Sequence, residues 1–157
     1  MDCILLHGHY KRRGRGIGMM SMYKKVVLRK KNGDLIKGNI DLFNATNPSV
    51  VLNDISGTIH SVALDELKAI FFVKDLFVDK RFHGDYCTFD NCKERHGRRV
   101  VVHFFDGEEI WGTILGINKK KQGFFLTPSD PRSNNVSVFA PFRSVKKIDF
   151  VDENKPL

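Results

Sequence analysis

The stretch from Gly107 to Val151, GEEIWGTILGINKKKQGFFLTPSDPRSNNVSVFAPFRSVKKIDFV, has a degraded copy earlier in the chain, from Gly33 to Val73. An offset of 74 places Val26, Gly33, Ile36, Gly38 and Ile40 on Val100, Gly107, Ile110, Gly112 and Ile114. Towards the end the offset becomes 78, and Leu67, Lys68, Ile70, Phe72 and Val73 fall on Val145, Lys146, Ile148, Phe150 and Val151. Such a repeat constrains the fold more than any local pattern, because each copy must be one structural unit. The second copy is four residues longer, and the Asp130–Asn135 segment is the surface loop that takes them up. Units of ~50–55 residues lie near the lower size limit for independent folding, so the two are expected to pack together.

Each copy reads as β-strands separated by turns. KKVVLRKKNGDLIKGNI is strand, turn, strand, with Asn32-Gly33 as a hairpin signal whose two central positions are expected at positive φ. Asp106-Gly107 holds the same place in the second copy. Ile36, Gly38, Ile40 and Leu42 alternate with Leu35, Lys37, Asn39 and Asp41 and are expected to face the core. Gly38 and Gly112 then fall in mid-strand, where glycine marks a sharp bend. Ser49–Asp54 is a third strand and GTIHSVAL a fourth, split by an Asp54–Gly57 turn. SVALDELKAIFF also fits a helical spacing, but the second copy has Pro141 at that place, which breaks a helix interior. The pattern is therefore strand, tight turn, closing strand. The expected core is Val26, Leu28, Ile36, Ile40, Val51, Leu67, Ile70 and Phe72 in the first unit. In the second it is Val100, Val102, Ile110, Ile114, Phe125, Leu126, Val138, Val145, Ile148 and Phe150.

VVLRKKNGDLIKGNIDLFN resembles the first Sm motif in its turn Gly33, bend Gly38 and Phe43-Asn44 pair. That resemblance implies the fold and not the nucleotide pocket. Asn47-Pro48 stands where Met-Asn belongs, and the Arg-Gly of the second motif is Asp65-Glu66 here and Arg143-Ser144 in the second unit. GFFLTPSDPRSNNVSVFAPFRSVKKIDF is similar to a segment of uncharacterised bacterial proteins reading GFFLxPxDPxSNNxxVFV with a V-K-x-[VI] ending, which also occurs beside PilZ-type cyclic-dinucleotide domains. It implies a bacterial family without an established activity. The expectation is an all-β chain of two tandem five-stranded SH3/Sm-like barrels, residues 23–74 and 98–152. A basic leader (1–22) and a tail (153–157) are expected to be disordered, and 75–97 links the barrels. Met19, Met20 and Met22 offer later starts than Met1.

The net charge of +8 exaggerates how basic the folded part is. Residues 1–23 carry +3, residues 24–73 carry +2, residues 74–97 are neutral, residues 98–151 carry +4 and residues 152–157 carry −1. Three cysteines, Cys3, Cys87 and Cys92, make no disulfide framework and fit a reducing cytoplasm. No apolar run reaches the ~20 residues of a membrane-spanning helix. The chain holds no GxSxG elbow, P-loop, HExxH or dinucleotide fingerprint, and Glu108-Glu109 point to opposite faces of a strand, so an enzyme and a cofactor are not expected.

Four candidate sites follow. The first is a binding surface on the enlarged loop, Asp130, Arg132, Asn134 and Asn135, with Trp111 and Arg143 beside it. Trp111 is a large aromatic at an out-facing position whose counterpart is Lys37, which marks either a partner contact or, with Phe105, the seam between the units. The second is a nucleic-acid surface of Arg98, Arg99, Lys119, Lys120 and Lys121 with the leader. The third is a cyclic-dinucleotide clamp of Arg95 and Arg99, an R-x3-R spacing without the companion D-x-S-x-x-G. The fourth is a metal set, His83, Cys87, Cys92 and His96, spaced H-x3-C-x4-C-x3-H. The leading expectation is a non-catalytic binding or adaptor module that takes a protein partner.

Overall fold

The computed structural model describes residues 24–77 and 96–151. In the first half, β1 (Lys24–Lys30), β2 (Leu35–Ile40), β3 (Ser49–Asp54), β4 (Ile59–Ala63), a 3-10 turn at Leu64–Glu66 and β5 (Leu67–Val73) follow one another. In the second half, β6 (Arg98–Phe104), β7 (Glu109–Ile114), β8 (Gly123–Pro128), β9 (Asn135–Pro141), a 3-10 turn at Phe142–Ser144 and β10 (Val145–Phe150) repeat that order. The helical alternative for residues 61–72 is excluded. The chain is all-β, as the alternation and turn residues require.

The halves are not two separate sheets. All ten strands lie in one open antiparallel sheet, ordered β10-β6-β7-β8-β9-β5-β1-β2-β3-β4. The join is a backbone ladder between β5 and β9, with Ile70 opposite Phe139 and Phe71 opposite Val138. Sequence reasoning had offered Trp111 and Phe105 for this seam. Phe105 is exposed instead, and Trp111 lies on β7, two strands from the ladder.

Two hydrophobic clusters lie on opposite faces of β5. Leu67, Ile70 and Phe72 pack with Val26, Leu28, Ile40, Val50, Leu52, Val62 and Phe139. Ala69, Phe71 and Val73 pack with Val100, Val102, Phe104, Ile114, Phe124, Leu126 and Val138. All seven residues of β5 are therefore buried, and each large apolar side chain so placed contributes roughly 1.5–3 kcal/mol.

Local chemistry sets the bends. Gly33 and Gly107 alone take positive φ in the two hairpin loops, at 97° and 91°. The Asn32 backbone does not share that conformation. The Asn32 Oδ1 instead accepts the Asp34 amide at 3.0 Å, and Asp106 does the same for Glu108 at 3.0 Å. Each loop is thus a three-residue connection ending in a left-handed glycine. Gly38 lies tight against β3 and Gly112 tight against β8: a Cβ there would collide with the carbonyl oxygens of Asn53 and Thr127 respectively.

The inward phase of β3 and β8 differs from the expected one. Val50 and Phe124 are buried, while Val51 is 56% and Phe125 43% exposed. Leu42 lies past the end of β2 and is 79% exposed. Phe150 lies half-covered on the edge strand β10, with the Arg98 guanidinium 4.2 Å from its ring centroid. Ile36, Ile110, Val145 and Ile148 are partly buried against the clusters.

Candidate functional site

The enlarged loop between β8 and β9 is held by its own groups and by the chain leaving β5. Asp130 Oδ1 accepts the Arg132 amide at 2.9 Å and its Nε at 3.3 Å, and Ser133 Oγ accepts the Asn135 amide at 3.1 Å. Asn134 reads the backbone of Asp75 on both sides. Its Nδ2 donates to the Asp75 carbonyl at 2.8 Å and its Oδ1 accepts the Asp75 amide at 3.0 Å. The Lys74 amide donates to the Asn134 carbonyl at 2.9 Å and its ammonium to the Pro131 carbonyl at 2.9 Å. These bonds continue the β5–β9 ladder beyond Val73 and Asn135. Asn134 is thereby occupied in tying the two halves together, while Asp130 and Ser133 bond within the loop. Burial opposes ionisation of Asp130, yet the Arg132 amide, its guanidinium and its charge hold the carboxyl below its ordinary value.

Arg143 and Trp111 lie apart in role. Arg143 donates to Asp65 Oδ2 at 2.6 Å. The two residues occupy matching positions in the two 3-10 turns, so this ion pair also bridges the halves. Trp111 is half-buried opposite Val101, and its carbonyl accepts the Ser129 amide at 2.9 Å.

The basic candidates separate too. Arg98 covers Phe150. Arg99 lies on β6, where its carbonyl accepts the Val151 amide at 2.9 Å. Lys119, Lys120 and Lys121 are exposed together on the β7–β8 loop, because Asn118 turns the chain there: its Oδ1 accepts the Lys120 amide at 3.0 Å and its carbonyl the Lys121 amide at 3.1 Å. Of the metal set, His83, Cys87 and Cys92 lie outside the described residues, as does Arg95 of the dinucleotide clamp. His96 is exposed at the entrance to β6. Among the described residues, no three His, Cys, Asp or Glu side chains come together to hold a metal.

Sequence reasoning missed the most polar element of the core. The Lys68 ammonium, on β5, is buried between the Asp106 and Glu108 carboxylates of the opposite hairpin and sits 5.0 Å from the Phe104 ring centroid. Arg29 joins them through Glu108 at 2.9 Å. Burial opposes ionisation of Asp106, but the Lys68 bond, the Glu108 amide and the neighbouring cations hold its carboxyl below the ordinary value. The signal was a lone lysine in the apolar run LKAIFFV, which cannot be buried without counter-charges.

Two histidines meet carboxylates. His103 places Nδ1 3.0 Å from Glu109 Oε1 and Nε2 2.8 Å from Asp149 Oδ2, on the outer face of β6, β7 and β10. His60 Nε2 lies 2.7 Å from Asp54 Oδ2, and Ser56 Oγ donates to Asp54 Oδ1 at 2.6 Å. The Ser56, His60 and Thr58 bonds hold the Asp54 carboxyl far below the usual range. Ser, His and Asp meet there in the wrong order for nucleophilic catalysis. Both partners bond to the carboxylate, so the imidazole is not placed to take the serine proton.

A protein-family profile described as "Family of unknown function (DUF6982)" matches residues 22–152. No curated protein and no solved structure matches the chain.

Proposed function

We propose, for a chain that belongs to this family of unknown function, that it is a non-catalytic binding module whose protein partner adds an extended strand to β4. In this reading the two halves are copies of one small barrel-like unit of SH3/Sm type, fused into a scaffold that presents one usable edge. The equal order of elements and the matched glycines at 38 and 112 support the duplication.

The carrying observation is the chemistry of β4. It ends the sheet, and no described strand pairs with its outer side. Its residues, Ile59-His60-Ser61-Val62-Ala63, include no lysine, arginine, aspartate or glutamate. Ile59 is 71% exposed, and the neighbouring Val51 on β3 lies across from Ser61. An uncharged apolar edge is a template for another strand, and proteins ordinarily blunt such edges with charge. Strand addition draws affinity from backbone bonds and specificity from alternate side chains. The partner is thus a protein segment in extended form with apolar residues at every second position.

Selection from a displayed library of random peptides, followed by amide-shift mapping on the bound protein, tests this. Shifts should centre on residues 59–63, and Ile59→Lys with Ser61→Lys should weaken binding at least roughly tenfold, the loss of a central contact. Shifts centred elsewhere, or binding untouched by the two lysines, would reject the reading. Of the nucleic-acid alternative, Lys119–Lys121 lie exposed together on one loop, and Arg98, also exposed, lies over the Phe150 ring.

A further inference from the structure

The two most exposed aliphatic side chains among the described residues, Leu115 at 86% and Leu42 at 79%, lie on the β7–β8 and β2–β3 loops. These loops touch: the Gln122 amide donates to the Ala45 carbonyl at 2.8 Å. Beside that contact Phe43 meets the half-exposed Phe125 edge-on, their ring centroids 5.9 Å apart. Ile117 extends the apolar surface along the second loop. Lysines flank it. Lys119, Lys120 and Lys121 follow Ile117 after Asn118, and the Lys24 ammonium lies 5.7 Å from the ring centroid of Phe72, which also contacts Phe43 and Phe125. Asp41 is the carboxylate on these two loops.

We propose that this end of the protein docks on an anionic phospholipid surface, with Leu42, Leu115 and Ile117 entering the headgroup–acyl boundary and the lysines meeting lipid phosphates. Exposed apolar side chains on loops flanked by lysines match the layered chemistry of that interface. The composition favours lipid over nucleic acid. The two most exposed side chains, Leu42 and Leu115, are aliphatic and cannot stack on bases, and the cations are lysines, which lack the planar guanidinium fork. The site lies on the β2–β3 and β7–β8 loops and not on β4, so it stands or falls apart from the strand-addition reading.

Co-sedimentation of the full chain with vesicles of phosphatidylcholine alone, and of phosphatidylcholine with phosphatidylserine, is the test. Binding is expected only to the anionic vesicles and should fall steeply with added salt. Changing Lys119, Lys120 and Lys121 together to Gln should weaken it about a hundredfold, from about fivefold per lysine. Leu42→Ser and Leu115→Ser should each weaken it about tenfold, the loss of one inserted aliphatic. Since these side chains are exposed, melting temperatures should stay unchanged. The salt titration of the unaltered protein serves as the check should a variant fail to fold. No binding to anionic vesicles overturns the proposal. So does binding indifferent to the two serines, which would be adsorption by charge alone, or a single-stranded RNA band shift from a protein that ignores the vesicles.

Discussion

β5 and β10 occupy the same place in the two halves and have opposite fates. β5 reads LKAIFFV and all seven of its residues are buried; β10 reads VKKIDF and none is. Aligned by the 78-residue offset, the side chains turned towards their own half remain apolar: Leu67, Ile70 and Phe72 against Val145, Ile148 and Phe150. The other side changes. Ala69 and Phe71 become Lys147 and Asp149. On β5 those residues enter the core of the second half, while on β10 the Lys147–Asp149 pair, 2.9 Å apart, lies at the sheet's edge. A strand thus becomes a seam or an edge according to the face turned away from its own core. Charged residues there hinder further pairing, and apolar ones invite it. β4 is the exception that motivates the functional reading, an edge without charge.

The largest effect should come from writing the edge onto the seam. Phe71→Asp removes a buried aromatic, worth about 3–5 kcal/mol, and adds an unpaired carboxylate to the same core. Native stabilities are roughly 5–15 kcal/mol in total, so chemical denaturation should find little folded protein. Near-native stability would show that the two halves stand alone and that the seam is incidental.

The polar lock beside the seam comes next. Asp106→Asn with Glu108→Gln leaves the Lys68 ammonium buried without a counter-charge, an expected loss of about 3 kcal/mol. Lys68→Met removes the charge itself and should cost under about 1.5 kcal/mol, because an apolar chain of similar length fills the site. Urea midpoints of the two variants should therefore differ clearly. Equal midpoints would mean that Lys68 reaches solvent.

Much of this division can be read in the sequence, and particular residues show where it stops. The hairpins were legible because Asn32-Gly33 and Asp106-Gly107 stand between alternating runs. The phase of β3 and β8 was not. Val50-Val51 and Phe124-Phe125 put apolar residues on both faces of a short strand, and periodicity cannot choose between them. The same misassignment, Val51 and Phe125, recurs in both copies because the repeat preserves the ambiguity. The β5–β9 ladder joins residues 62 to 69 positions apart and leaves no local period. Its trace was the contrast between the unbroken apolar run AIFFV that follows Lys68 and the mixed VKKIDF, the signature of burial on two faces against one. The enlarged loop was legible as an insertion. Its use as a clamp depends on Asp75, outside the repeat, so sequence alone could not separate scaffold from binding surface. Asn134→Ala removes both bonds to Asp75 and should cost about 1–2 kcal/mol, read as a lower melting temperature with partner binding unchanged. Loss of partner binding with an unchanged melting temperature would restore the loop as a binding site.

The smallest expected effect belongs to the edge carboxylate. Asp106 at the seam and Asp149 at the edge both titrate below the ordinary aspartate value of 3.8. For Asp149 the Lys147 bond leads, partial burial opposes it and the His103 bond adds to it. A carboxylate whose folded pKa is depressed binds fewer protons in the folded state than in the unfolded one. Its stabilisation is complete above 3.8 and is lost as pH falls through the lower, folded value. Melting temperature followed from about pH 5 to about pH 2 should therefore decline, and removing either carboxylate should flatten that decline. Asp106→Asn should also lower stability at neutral pH, because the buried Lys68 ammonium loses one of its two carboxylate partners. Asp149→Asn should leave the neutral value nearly unchanged, since Lys147 and Asp149 are both exposed and solvent screens the pair. If Asp149→Asn proves as costly as Asp106→Asn, β10 is not an edge in solution, and another chain must cover it.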